Sequence, residues 1–161
     1  MLGEVGRWAI TSACAAAQGW PETVRVAVNV PVPLFLADDF VFRVSDAVTA
    51  ANLTPSRLYQ EMSEAVFFGD ADAVDRTLFE LFKLGVRLTL DEFGSGCSSL
   101  AYLRRVPFDA IKIDQKLVTE AERHDSRVSP YALAAGRSFS IQQGGAVAKF
   151  SYATTARADA G

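Results

Sequence analysis

Four apolar runs of this sequence carry, at or near their ends, a side chain able to bind a cation or neutralise an anion. Residues 24–30 hold Asn29, residues 57–62 hold Glu61, residues 86–90 run into Asp91, and residues 110–113 hold Lys112. Carboxylate and amide oxygens are hard donors suited to Mg²⁺ or Mn²⁺. Glu92, beside Asp91, adds a donor for a second ion, and two ions ~3.5–4 Å apart clamp a phosphoryl group and generate an attacking hydroxide. Lys112 is placed to neutralise developing charge or to orient the water. Taken singly, each residue has a plainer reading: Asn29 as a turn former, Glu61 or Glu64 as a solvated carboxylate, Lys112 as a surface cation. Four such groups on successive run ends are harder to set aside.

Other chemistries find little support. His124 is the single histidine and falls in an unpatterned stretch, which argues against a catalytic base or a triad. Cys14 and Cys97 lie in unlike contexts, too few for a disulfide scaffold or a zinc site, and read as reduced thiols. Gly94-Ser95-Gly96, directly after Asp91-Glu92-Phe93, makes a tight, adaptable loop but by itself a weak phosphate cradle.

The elements that must position these groups follow from periodicity. A helix over residues 5–18 sets Val5, Trp8, Ala9, Ala13 and Ala16 along one face and stops at Gly19, Trp20 and Pro21. The alternating valines of 24–30 make a short buried strand, which Pro31 and Pro33 end. A helix follows Asp38 and Asp39 on the spacing of Phe40, Val44 and Val48, and Asn52 and Pro55 interrupt it before a strand over 57–62. Asp70 is an N-cap for a helix to Leu84 whose Val74, Leu78, Leu81 and Phe82 share a face, with Gly85 as its terminator. Strand 86–90, a short helix over 99–105 and strand 110–113 complete the order. Helix and strand alternate throughout, which predicts a parallel sheet with crossover helices, an α/β architecture. In a barrel of βα units the strand C-terminal ends, where the polar residues collect, are where active sites lie.

Bulk properties suit one globular domain: 161 residues, 50% hydrophobic, 22% charged. A net charge of −3 argues against DNA, RNA or an anionic membrane as partner. No run reaches the ~18 apolar residues of a membrane span and no signal peptide opens the chain, so a cytoplasmic location is expected. After about Glu122 neither period is sustained, which divides the chain into a domain over 1–122 and a divergent or poorly ordered tail over 123–161.

At this point the sequence resembles a known family. Leu88-Thr89-Leu90-Asp91-Glu92-Phe93-Gly94-Ser95-Gly96-Cys97-Ser98-Ser99-Leu100 is similar to the "DDFGTGYSSL" segment of EAL domains. Ile111-Lys112-Ile113-Asp114, after Leu103-Arg104-Arg105-Val106-Pro107, resembles the family's "L..LP.d.lKID". Tyr59-Gln60-Glu61-Met62-Ser63-Glu64 resembles "lElEiTE", and Val26 to Val30 "vsVNlS"; Gly6-Arg7-Trp8 and Ala13-Cys14 match the helix ahead of that strand. These matches cover about residues 2–118. The resemblance implies a TIM-type (β/α)₈ barrel, here incomplete with about four βα units, that hydrolyses cyclic di-GMP to linear pGpG with two Mg²⁺ or Mn²⁺ ions. Carried over by position, Asn29, Glu61 and Asp91 match metal ligands, and Glu92 takes the place of the Asp serving the second ion. Lys112 matches the lysine that positions the attacking water, and Glu64 the glutamate that holds the loop after the Asp pair.

There are departures. No Glu-Ala-Leu tripeptide occurs; the strand bearing it is expected before Met1. The later "AEGVE" glutamate and the final pocket glutamine have no counterpart after Val118. Glu92 adds a methylene to the expected Asp, Pro31 replaces a Ser, and Cys97 a Tyr. Impaired hydrolysis is therefore expected, and the alternatives are a non-catalytic module that binds cyclic di-GMP or a protein, or a non-functional gene fragment. Implied partners are cyclic di-GMP and, on the protein side, a second copy or a parent sensory or GGDEF module.

Overall fold

The computed structural model describes residues 2–93, 106, 108–113 and 147–149. Within them the elements are α1 (Leu2–Gln18), β1 (Val26–Asn29), α2 (Val32–Phe35), α3 (Phe40–Ala50), β2 (Leu58–Ser63), α4 (Ala71–Leu84), β3 (Arg87–Phe93), β4 (Ala110–Ile113) and β5 (Val147–Lys149), with 3₁₀ turns over Pro55–Arg57 and Glu64–Phe68. The strands hydrogen-bond in the order β1-β2-β3-β4-β5. The first four are parallel and in sequence order, with crossover helices between β1, β2 and β3, as in one arc of a βα barrel. The helix expected over 99–105, the Gly94-Ser95-Gly96 loop, Cys97, Asp114 and His124 lie outside the described residues. Of the stretch after residue 122, only Val147–Lys149 is described; it pairs antiparallel with β4, using the backbone groups of that strand's far edge.

Among the described residues, helices pack against one face of the sheet only. Val26 and Val28 of β1, Leu58 and Met62 of β2, Leu88 and Leu90 of β3 and Ile111 of β4 are buried together with Phe40, Val44 and Val48 of α3 and Val74, Leu78 and Leu81 of α4. Asp70 caps α4 by accepting from Asp72 N at 3.0 Å, and Gly85 leaves the helix in the left-handed region at φ 85°. Asn52, at φ 47°, turns the chain out of α3 in the same way. Among the described residues no helix is long and apolar enough to cross a membrane.

Three details differ from the sequence reading. Helix α1 is rotated from the expected face: Val5, Trp8 and Ala16 are exposed, while Ile10, Cys14 and Ala17 are buried and Ala9 and Ala13 are partly buried against the core. Gly6 lies on the packed side, where a Cβ would collide with the Leu34 side chain. Phe82 of α4 is likewise exposed, one position beyond the buried stripe. Pro31 and Pro33 do not simply end β1: they open the one-turn helix α2, whose Leu34 and Phe35 are buried, since proline suits a first helical turn. Burial also pushes the thiol pKa of the free Cys14 up, which keeps it inert.

Two buried polar side chains carry opposite energetic weight. Arg57 donates to the carbonyls of Val24, Ala17, Trp20 and Pro21 at 2.8–3.3 Å, closing the C-terminal end of α1 and the turn into β1. A delocalised cation among carbonyl oxygens suits that helix end. Gln60 is fully buried on the helix side of β2, and neither its Nε2 nor its Oε1 finds a hydrogen-bond partner among the described residues.

Arg57→Met should therefore lower the unfolding free energy by about 3 kcal/mol, whereas Gln60→Met should raise it by about 1 kcal/mol. Urea unfolding with unchanged m-values measures both; a destabilised Gln60→Met would mean the amide has a partner after all.

Candidate functional site

The strand ends on the uncovered face bring the predicted residues together. In the parallel ladder Val26 stands opposite Leu58 and Asn29 opposite Glu61. Glu61 in turn stands opposite Thr89, and Ser63 opposite Asp91. Because side chains alternate along each strand, Asn29, Glu61, Ser63 and Asp91 all leave the sheet on the side away from the buried leucines. Val30 N donates to Glu61 O at 2.7 Å, which extends the ladder past the end of β1.

Between β3 and β4 the register breaks, and the break has a chemical result. Leu90 pairs with Ile111, but the next pair is Phe93 with Ile113. Asp91 and Glu92 thus stand against a single residue, Lys112, which is the definition of a β-bulge. In an unbroken strand Glu92 would point under the helices and Phe93 into the cleft. With the extra residue, Phe93 returns to the buried layer, 3% exposed, Asp91 stays beside Lys112, and Glu92 is exposed. The backbone accommodates this at Glu92, which takes φ 54°, a left-handed conformation costing a non-glycine residue about 1 kcal/mol or more. Glu92 N donates to Asp91 Oδ1 at 2.9 Å, fixing the carboxylate beside the bulge.

Lys112 organises the charges. Its Nζ donates to Glu61 Oε2 at 2.5 Å and lies 3.7 Å from Asp91 Oδ2. The Glu61 side chain is 12% exposed, against about a third for Asp91 and Lys112. Glu61 is therefore largely withdrawn from water and needs a cation close by. Among the described residues, the other cations of this face are engaged at its N-terminal end, where Arg87 pairs with Asp109 at 2.6 Å and Arg25 donates to Tyr59 Oη at 3.0 Å. Glu64 follows three residues after Glu61 in the 3₁₀ turn and is buried.

The donor chemistry fits a hard divalent cation: one amide and three carboxylates, two of which already share one positive charge. Among the described residues no three His, Cys, Asp or Glu side chains converge closely enough to enclose an ion by themselves. The sequence reading placed Asn29, Glu61, Asp91 and Lys112 on strand ends with Glu92 beside Asp91; the register sets Asn29, Glu61 and Asp91 on one face with Lys112 among them, and Glu92 is exposed beside them. The sequence reading missed the bulge, although the Leu88, Leu90, Phe93 spacing of two and then three was there to be read. It also missed Ser63 and Thr89 as neighbours of the cluster, because short hydroxyl residues carry no signal of their own.

Comparison with known proteins shows the family and the fold. The profile of the EAL domain matches residues 1–142. MucR of Pseudomonas aeruginosa, a bifunctional diguanylate cyclase/cyclic di-GMP phosphodiesterase, is 30% identical over 148 residues, 88% of this chain and 22% of that protein. The solved MucR phosphodiesterase in complex with c-di-GMP superposes with a TM-score of 0.70 at 32% identity, covering 83% of this chain and 57% of that one. The manganese/cyclic di-GMP complex of Klebsiella pneumoniae BlrP1 gives 0.63 at 29% identity, covering 73% and 31%. The chain spans 17–22% of the length of the curated relatives it matches first.

If the bulge is what returns Phe93 to the core, position 92 must tolerate a left-handed backbone. Glu92→Gly should hold or slightly raise stability, whereas the β-branched Glu92→Val should lose about 1–2 kcal/mol. Chemical denaturation of both variants decides this, and equal midpoints would show that no left-handed residue is required.

Proposed function

The chain belongs to the EAL domain family, and on that premise we propose that its strand-end cluster is part of a metal-dependent site that hydrolyses cyclic di-GMP to linear pGpG. The observation that carries the reading is Lys112 lying within ion-pair reach of both Glu61 and Asp91 at the C-terminal ends of parallel strands. Asn29, Glu61 and Asp91 supply hard oxygen donors for Mg²⁺ or Mn²⁺, and Glu92 supplies a further carboxylate for a second ion. When bound, such ions lower the pKa of a coordinated water and offset charge on a phosphodiester oxygen. The relative crystallised with manganese and cyclic di-GMP supports that choice of cation and substrate.

The chain's own residues do the rest. The carboxylates draw cations to a cleft that would otherwise repel a phosphodiester. Lys112 holds its ammonium near the attacked phosphorus, where it orients a water and balances the charge that develops on the equatorial oxygens. Glu64, buried at the start of the turn after β2, takes the position of the glutamate to which the resemblance gives the loop-holding role. MucR combines this activity with a diguanylate cyclase, which supports a module of that kind as the protein-side partner.

One feature favours a second reading, binding without turnover. Glu92 stands where the resemblance expects Asp, and its extra methylene displaces the carboxylate by ~1 Å, enough to disturb a two-ion geometry.

Cyclic di-GMP incubated with the protein and Mn²⁺ should yield pGpG, and Asp91→Ala should slow this on the order of 100-fold. A ligand-induced rise in melting temperature with no pGpG formed would select the binding reading. If Asp91→Ala left both turnover and binding unchanged, the site would have to be elsewhere.

A further inference from the structure

We propose that Lys112 is a tethered counter-ion which competes with divalent cations for Glu61, so that it sets the metal affinity of the cleft as well as acting in the reaction. The inference rests on the metal reading above but makes a separate claim about one side chain. Its Nζ is 2.5 Å from Glu61 Oε2 and 3.7 Å from Asp91 Oδ2. The ammonium therefore lies between two carboxylates of neighbouring strands and occupies the oxygen that a hard cation would need.

Burial makes the pairing consequential. With its side chain only 12% exposed, Glu61 cannot rely on water to stabilise its charge. Among the described residues, the remaining cations of this face do not replace the lysine, since Arg87 is held by Asp109 and Arg25 lies over the Tyr59 ring at the N-terminal end. Lys112 is thus the stabilising charge for the pair. A divalent cation bound to the same oxygen would stand within a few ångströms of the ammonium and repel it. A flexible four-carbon stem, about a third exposed, lets Lys112 swing toward the open cleft as the ion arrives. No covalent change is involved: one cation exchanges for another on Glu61, and the released ammonium moves to the side where substrate binds.

The bulge strengthens the arrangement. It sets Lys112 against Asp91 and Glu92 together, so one lysine faces carboxylates from two strands. Such a residue offsets their mutual repulsion while the fold forms and withdraws when a stronger cation takes over.

The consequence has an unusual sign for a residue placed in the reaction: removing it should tighten metal binding. Mn²⁺ titrations of the 161-residue protein, followed by calorimetry or by the loss of free-ion paramagnetic signal, should give a dissociation constant about 10-fold lower for Lys112→Met than for wild type. Lys112→Arg, which keeps the cation, should not tighten binding. Without added metal, Lys112→Met should melt at a lower temperature than wild type, and saturating Mn²⁺ should raise its melting point by more. If Lys112→Met does not fold, Lys112→Gln repeats the measurement with a hydrogen-bonding stem of similar reach. Unchanged or weaker Mn²⁺ binding by the neutral variants would overturn the competition and leave the metal reading intact. Absence of Mn²⁺ binding by wild type and variants alike would overturn the metal reading, and the competition with it.

Discussion

Parallel strands paired without a slip are the constraint on which the site depends. With Val26 opposite Leu58 and Tyr59 opposite Arg87, every second residue of β1, β2 and β3 falls on one side. A shift of one residue between any two strands would send Glu61 or Asp91 into the apolar layer and bring a leucine out in its place. The large energy of burying Leu58, Met62, Leu88 and Leu90 under the helices therefore also fixes where the carboxylates point. Helix packing and site geometry are two results of the same register.

The bulge is the single sanctioned departure from that rule. Between Leu90 and Phe93 the core keeps its hydrophobic pattern while two acidic residues stand against one lysine. The conformational cost is local, at Glu92, and it is offset by returning Phe93 to the buried layer.

Charge is distributed unevenly over the uncovered face. Arginines sit at the N-terminal ends of the strands and are tied to Asp109 and Tyr59. Carboxylates collect at the C-terminal ends with one lysine among them. An anionic substrate would be repelled by that end unless further cations were recruited, which is why donor chemistry and ligand charge point to the same kind of site. Elsewhere, Arg57 satisfies four carbonyls at the end of α1, a role hidden in the sequence, where the residue reads as the ordinary start of a strand.

The order of elements, the cap at Asp70, the terminator at Gly85 and the strand-end positions of Asn29, Glu61, Asp91 and Lys112 were legible in the sequence, because each is written in local period or in one residue's backbone preference. The site residues were readable as candidates for the same reason: polar groups interrupt apolar runs at equivalent places. What tertiary structure alone decided is non-local. Which face of α1 is buried was settled by packing, with Gly6 set against Leu34, since alanines lie on several sides of the helix. The contact of Lys112 with Glu61 joins residues 51 positions apart, and the return of Phe93 to the core depends on how β4 counts against β3. Local sequence names the groups; only the register between strands determines which of them share a charge.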